Sequence, residues 1–449
     1  MTESHFSQLN RRDLFRASLM GLATGIASRN WMPAMADALA KSPTGKRHCI
    51  LLWMTGGPSQ TDTFDMKPGH PNGGEFKEIS TKAPGLRFSE HLPKLAKWAD
   101  RLGVVRSLST KEGDHGRGTY LMRTGHQPGG PIQYPTLGSL VSKQLGSDDA
   151  ELPNYVSIAP YQIFNRDAFQ PGFLGPKYAA LTVGATNSFQ QPVANNSGYP
   201  ELGVDDLNKA NGVLAAQFQG RLGLLKSLQN GFVAQHQSNA PLAHQTVYQR
   251  AIRMMNSEAA KAFDLSEEPD KVRKAYGTDR FGQGCLMARR LVERGVPFVE
   301  VTLAARAPGA FGWDTHRNNF DRVKELSGIL DAGWSSLMKD LHERGLLDST
   351  TIIWMGEFGR TPKINRNGGR DHYPKAWSAV LAGGGIAGGQ AYGNTGKDGL
   401  EVTDGKVDVG DVLATLCAAM KINHQSQNIS KMGRPIRIAE GKPIQKLLT

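Results

Sequence analysis

Cysteine, long apolar runs and clustered charge are all scarce in this sequence of 449 residues. Its three cysteines, at positions 49, 285 and 417, form no Cys-x-x-Cys pair, which argues against a disulfide framework or a cysteine zinc knuckle. No apolar run reaches the roughly 18–20 residues of a membrane-spanning helix. The net charge is +12, but basic residues are scattered, so we expect no nucleic-acid partner. An anionic substrate and a solvated basic surface remain the two interpretations of that charge.

The N-terminal segment has the pattern of an export signal. Arg11 and Arg12 precede a mildly apolar stretch rich in Gly and Ala, and small residues follow at positions 34–40. This pattern predicts a twin-arginine signal over residues 1–40, with cleavage after Ala36 or Ala40. An amphipathic helix with two chance arginines is the other interpretation. The signal predicts a partner, the twin-arginine export machinery, and a periplasmic or other extracytoplasmic location for the domain at 41–449.

Short apolar runs alternate with helical patterns along the rest of the chain, which indicates an α/β fold. The predicted strands cover residues 46–54, 102–108, 155–158, 296–303, 350–355 and 376–385, and the predicted helices cover 92–102, 279–295, 320–344 and 411–420. A segment at about 178–275, rich in Gln and Asn, is predicted to be a helical insertion. In such sheets, ligands bind beyond the carboxyl ends of the strands.

Acidic and imidazole side chains are concentrated in the segments that follow these strands. Carboxylate and imidazole together suit a divalent ion such as Zn²⁺, Mn²⁺ or Ca²⁺, and the sequence does not choose among the three. Each residue taken singly is also compatible with a helix cap, a turn or a structural histidine. The predicted metal ligands are Asp62, Asp65, Asp314, His316, Glu357, Asp371 and His372, and the predicted catalytic residues are His115 and Arg360.

Several segments resemble the alkaline-phosphatase/sulfatase-like superfamily. They are "YLMRTGHQP" at 120–128, "LDAGWSSLMKDLHERGLLDSTTIIWMGEFG" at 330–359 and "DVGDVLATL" at 408–416. Together with the signal and with "GGPSQTDTFD", "GWDTH" and "GEFGRTP", they resemble a bacterial family of exported proteins within that superfamily. The resemblance implies an alkaline-phosphatase-like three-layer sandwich with a mostly parallel central sheet. It also implies a metal-dependent hydrolase of phosphate or sulfate esters.

The sequence departs from the superfamily pattern at three points. His115 stands where sulfatases carry their nucleophile, Thr55-Gly56-Gly57 replaces an acidic pair, and Glu357-Phe358 replaces Asp-His. A hydrolase of this type would act through metal-bound water without a Ser, Thr or Cys nucleophile. Its substrate would be an anionic ester, for example on a sulfated or phosphorylated glycan. The alternative is a non-catalytic protein that binds an anionic glycan or scaffolds an exported complex.

Overall fold

The computed structural model describes residues 47–184, 198–205, 207, 212–236, 239–304 and 312–449. The predicted signal at 1–40 lies outside these residues. Among the residues described, no helix combines the length and the apolar character needed to cross a bilayer.

An eight-stranded sheet forms the centre of the fold, and seven of its strands run in one direction. The strand order is β8-β2-β7-β6-β1-β5-β3-β4, and only β7 is antiparallel to its neighbours, β2 and β6. The strands are β1 (His48–Met54), β2 (Leu102–Leu108), β3 (Tyr155–Ile158), β4 (Leu181–Val183), β5 (Phe298–Leu303), β6 (Thr350–Met355), β7 (Trp377–Gly383) and β8 (Gln390–Tyr392). The six predicted strands are therefore confirmed, to within two residues at every end.

Eight α-helices accompany the sheet in the described part of the chain. They are α1 (His115–Thr124), α2 (Leu137–Leu145), α3 (Ala215–Gln235), α4 (Asn239–Met255), α5 (Asp270–Tyr276), α6 (Arg280–Glu293), α7 (Asn319–Glu343) and α8 (Val409–Ala419). The predicted helices that correspond to α6, α7 and α8 are confirmed, whereas the one predicted at 92–102 is a 3₁₀ helix over Leu95–Arg101.

Alternate residues of each central strand feed two separate hydrophobic cores. In β1, Ile50 and Leu52 point into the core that α6 and α7 cover, while Leu51 and Trp53 point into the core that α2 and α8 cover. A buried parallel strand needs apolar residues on both faces, which explains why β1 is a continuous apolar run. Helices on both faces of a mostly parallel sheet confirm the predicted three-layer α/β architecture.

Smaller elements lie around the sheet. The segment at about 178–275, predicted to be a helical insertion, contains α3, α4 and nearly all of α5, but it also contains β4 of the central sheet. Its status as an insertion stays a prediction. Two-stranded pairs join Glu78–Ser80 to Arg87–Ser89, Gly359–Arg360 to His372–Tyr373, Asn394–Thr395 to Val402–Asp404, and Gln427–Ile429 to Pro435–Arg437. The second of these pairs holds part of the candidate site.

Candidate metal centre

One edge of the sheet collects the candidate ligands, and the strand directions explain why. His115, Asp314 and Glu357 follow β2, β5 and β6, whose carboxyl ends lie at the same edge because the three strands run in the same direction. His372 precedes β7 instead. Because β7 is antiparallel, its start lies at the same edge, and this brings His372 to the other three residues.

Local backbone features fix two of these residues. Asp114 accepts a hydrogen bond from the backbone N–H of Arg117 at 2.9 Å, so it caps α1 and makes His115 the first residue of that helix. Gly312 has φ +63°, and a Cβ atom there would collide with the carbonyl oxygen of Thr55. Only glycine fits this close approach, which anchors the segment that carries Asp314 against the end of β1.

Three imidazole nitrogens surround one carboxylate oxygen. Oδ1 of Asp314 lies 3.3 Å from Nε2 of His115, 3.3 Å from Nε2 of His372 and 3.1 Å from Nε2 of His316. Ligand atoms of His115, Asp314 and His372 all lie within 4.8 Å of one another. Nε2 of His316 is also 3.0 Å from Nε2 of His372. We call these four residues the metal cluster.

The opposite nitrogen of each histidine has a fixed partner. Nδ1 of His115 lies 2.7 Å from Oε1 of Glu357, and Nδ1 of His316 lies 2.7 Å from Oδ1 of Asp371. Nδ1 of His372 lies 2.7 Å from the carbonyl oxygen of Gly113. Histidine ligands of metals are usually held in this way, with one N–H donated to a carboxylate or carbonyl so that the other nitrogen presents its lone pair. Glu357 and Asp371, both predicted as ligands, thus lie behind histidines.

Arg360 is buried, and its guanidinium group donates hydrogen bonds to the loops around the cluster. It donates from Nε to the carbonyl oxygen of Gly57, from Nη1 to that of Arg370 and from Nη2 to that of Gly56. Nη2 also lies 2.6 Å from Oδ1 of Asp314. This position makes Arg360 a positioning residue for Asp314, because each of its three nitrogens already has an acceptor.

Asp62 and Asp65, both predicted as ligands, do not lie in the cluster. The oxygens of Asp62 accept hydrogen bonds from Nε and Nη2 of Arg370 at 2.8 and 2.9 Å. Asp65 accepts from Lys67 at 2.8 Å and from Thr395 at 2.5 Å. The chain turns into a short 3₁₀ helix after β1, and this directs both carboxylates into contacts that hold loops together.

Electrostatic balance in the cluster depends on opposed effects. Burial lowers the pKa of His115, but the neighbouring carboxylates of Asp314 and Glu357 outweigh this effect and raise the pKa to about 9. Burial raises the pKa of Asp314, but the close imidazoles of His115 and His372 and the charge of Arg360 hold it far below its usual range. Asp314 is therefore a carboxylate at neutral pH, and a bound cation would compete with a proton at His115.

One buried atom of the cluster is consistent with a divalent ion. Nε2 of His115 makes no hydrogen bond, although it lies 3.3 Å from Oδ1 of Asp314 and although buried polar atoms are nearly always paired. A donor set of imidazoles with one carboxylate suits Zn²⁺ and also suits Mn²⁺. Ca²⁺ prefers oxygen ligands and fits this set least well.

A loop that the sequence analysis did not single out covers part of the cluster. The ring of Phe164 stacks on His115, with 4.3 Å between centroids and 13° between planes. Tyr161 meets Phe164 edge-on at 5.1 Å. The available sequence signal was position alone, since this aromatic pair follows β3 at the ligand-bearing edge of the sheet.

The chain belongs to the family described as "Protein of unknown function (DUF1501)", whose model matches residues 46–448. A comparison with curated proteins found no match.

Solved structures that resemble the fold come from several bacteria. A sulfatase from Pseudoalteromonas sp. is 12% identical, with 88% of this chain and 72% of that chain covered, at a TM-score of 0.40. The lipoteichoic acid synthase LtaP of Listeria monocytogenes is 10% identical, with 93% and 82% covered, at 0.40. A protein of the alkaline phosphatase superfamily from Vibrio parahaemolyticus is 12% identical, with 93% and 78% covered, at 0.37.

Proposed function

We propose that the protein is a divalent-metal-dependent hydrolase of phosphate or sulfate esters. The observation that carries the proposal is the metal cluster, in which three histidines with fixed outer nitrogens converge on Asp314. A basic chain with a net charge of +12 favours an anionic ester, and an ester carried by a glycan belongs to that class.

The residues of the cluster have distinct roles in this proposal. His115, Asp314 and His372 would hold the ion, and Arg360 would keep Asp314 ionised and in place. A divalent ion at such a site supplies Lewis acidity and lowers the pKa of water that it coordinates.

His316 is the most exposed member of the cluster, with 43% of its side chain accessible. Its Nε2 is therefore the nitrogen best placed to take a proton from an attacking water. Asp371, hydrogen-bonded to Nδ1, would stabilise the imidazolium that results.

The position that sulfatases use for their nucleophile supports direct attack by water. His115 occupies that position. The three cysteines are free thiols buried in the two hydrophobic cores. With a histidine in place of a hydroxyl or thiol at that position, no phosphorylated or sulfated Ser, Thr or Cys should form during turnover.

Two measurements test this proposal together: ester hydrolysis by the metal-loaded protein, and a search for covalent adducts after acid quenching. Protein loaded with Zn²⁺ or Mn²⁺ should hydrolyse aryl phosphates or aryl sulfates, and a chelator should abolish the activity. Mass spectrometry of acid-quenched enzyme should find no adduct on any Ser, Thr or Cys. An adduct on one of these residues would contradict direct attack by water. A metal-loaded protein without turnover would favour the alternative, a non-catalytic protein that binds an anionic glycan or scaffolds a complex.

We also propose that the protein is exported through the twin-arginine pathway, on the pattern at residues 10–28. Replacing Arg11 and Arg12 with lysine should retain the precursor in the cytoplasm, because the paired arginines are the recognised feature. Cell fractionation measures the effect, and normal export of the double variant would contradict the proposal.

A further inference from the structure

The loop at residues 159–165, which we call the cover loop, begins at the edge of the sheet where the metal cluster lies. Ala159 directly follows β3 and has φ +51°, a conformation rare for residues other than glycine. Its backbone N–H donates to the carbonyl oxygen of Val183 at 2.8 Å, which holds the turn in place. Strained backbone of this kind persists where the surrounding structure fixes it, and functional sites are a common location.

Contacts with the first turn of α1 fix the far end of the cover loop. Phe164 stacks on His115, and Nδ2 of Asn165 donates to the carbonyl oxygen of Gly116 at 3.0 Å. A Cβ atom at Gly116 would lie 2.8 Å from the carbonyl oxygen of Phe164, so glycine permits this close packing. The cover loop is therefore built against a member of the metal cluster.

Tyr161 carries the unexplained feature of this loop. Its hydroxyl oxygen is buried and has no hydrogen-bond partner. Burial, with the nearby charges of Asp314 and Glu357, raises the pKa of Tyr161 to about 12. The hydroxyl therefore keeps its proton at neutral pH and is a donor without an acceptor. An unsatisfied buried donor destabilises a protein, so such groups call for an explanation.

We infer that the hydroxyl of Tyr161 donates a hydrogen bond to an oxygen of the tetrahedral oxyanion that binds at the metal cluster. This inference rests on the proposed function and adds a substrate-contacting residue to it. Arg360 is occupied with backbone carbonyls and Asp314, so a neutral donor from the cover loop supplies a contact that Arg360 does not. Tyr161 meets Phe164 edge-on and Phe164 stacks on His115, so a single ring separates the phenol from a residue of the metal cluster.

Tyr161→Phe tests the inference, because it removes the hydroxyl and keeps the ring. Calorimetric titration of the full, zinc-loaded chain with inorganic phosphate and with sulfate should show binding that is at least about 10-fold weaker than in the parent. Metal content should not change, and the melting temperature without oxyanion should stay the same or rise. Tyr248→Phe, on exposed α4, is the matched control and should bind oxyanion as the parent does.

Other outcomes separate this inference from the proposed function. Equal oxyanion affinity in Tyr161→Phe and the parent would overturn the role of Tyr161. A lower melting temperature with unchanged affinity would also overturn it and would assign the hydroxyl a structural role. If the zinc-loaded parent bound no oxyanion, the inference and the proposed function would both fail. Oxyanion binding that depends on Tyr161, without ester turnover, would support the inference. It would contradict only the proposed hydrolase activity.

Discussion

Replacing His372 with alanine should reduce the bound divalent ion from a stoichiometric amount to nearly none and abolish metal-dependent ester turnover. His372 contributes one of the three mutually close ligand atoms, and two remaining ligands bind an ion weakly. An ion that binds only the folded state stabilises it by about 2.7 kcal/mol when its concentration is 100 times its dissociation constant. The melting temperature of the variant should therefore no longer respond to added metal. Elemental analysis after gel filtration and thermal scans with and without zinc provide the measurements.

His236→Ala is the matched control for that experiment, because His236 ends the exposed helix α3. Its metal content and turnover should equal those of the parent. Asp314→Ala is a less clean variant, since it also leaves the buried guanidinium of Arg360 without its carboxylate. Full metal content in His372→Ala would show that the ion lies elsewhere.

His115→Ala should cause a large loss of stability, in addition to loss of metal. The change leaves the buried carboxylate of Glu357 with a single partner, the backbone N–H of Gly56 at 2.8 Å. Removing one member of a buried ion pair typically costs about 3–5 kcal/mol. Chemical denaturation of chelator-treated protein measures the free energy of unfolding.

A double variant separates lost packing from unpaired charge. Adding Glu357→Gln to His115→Ala should recover at least about 1 kcal/mol, because the glutamine carries no charge and can still accept from Gly56. If the double variant were less stable than His115→Ala, the buried charge of Glu357 would not be the cause of the loss.

The contact between His115 and Glu357 should make the stability of metal-free protein depend on pH. The pKa of His115 is raised to about 9 in the folded state, against about 6.5 in an unfolded chain. The stabilisation from its protonation should be fully present below about pH 6.5 and should disappear as the pH rises through about 9. The coupling between His115 and Glu357 should therefore be smaller at pH 10 than at pH 6.

Local sequence patterns were sufficient to predict the main strands. Thr350–Met355 and Tyr155–Ile158 are bounded by turn signals and have the apolar content of buried strands, so their positions follow from local sequence alone. The same patterns cannot give strand direction. The antiparallel course of β7, which brings His372 to the cluster, depends on pairing with β2 and β6 rather than on its own residues.

Contacts between residues far apart in the chain explain why some site residues could not be predicted from local sequence. Asp62 follows a strand as a ligand would, but its partner Arg370 is 308 residues away, and nothing in the local sequence reveals that pairing. Tyr161 lies in a loop without the acidic and imidazole residues that identify a metal site, so no local pattern predicts its role. Asp314 and His372 were predictable because residues that bind metals followed or preceded predicted strands.

X-ray absorption at the metal edge of the wild-type protein is the most direct test of a metal-dependent hydrolase centred on Asp314 and its histidines. Elemental analysis should first find a stoichiometric divalent ion. The spectrum should then show nitrogen and oxygen ligands at about 2.0–2.2 Å, with the outer scattering typical of imidazole. A protein that hydrolyses esters without a bound ion, or a ligand shell of oxygen alone, would contradict the account.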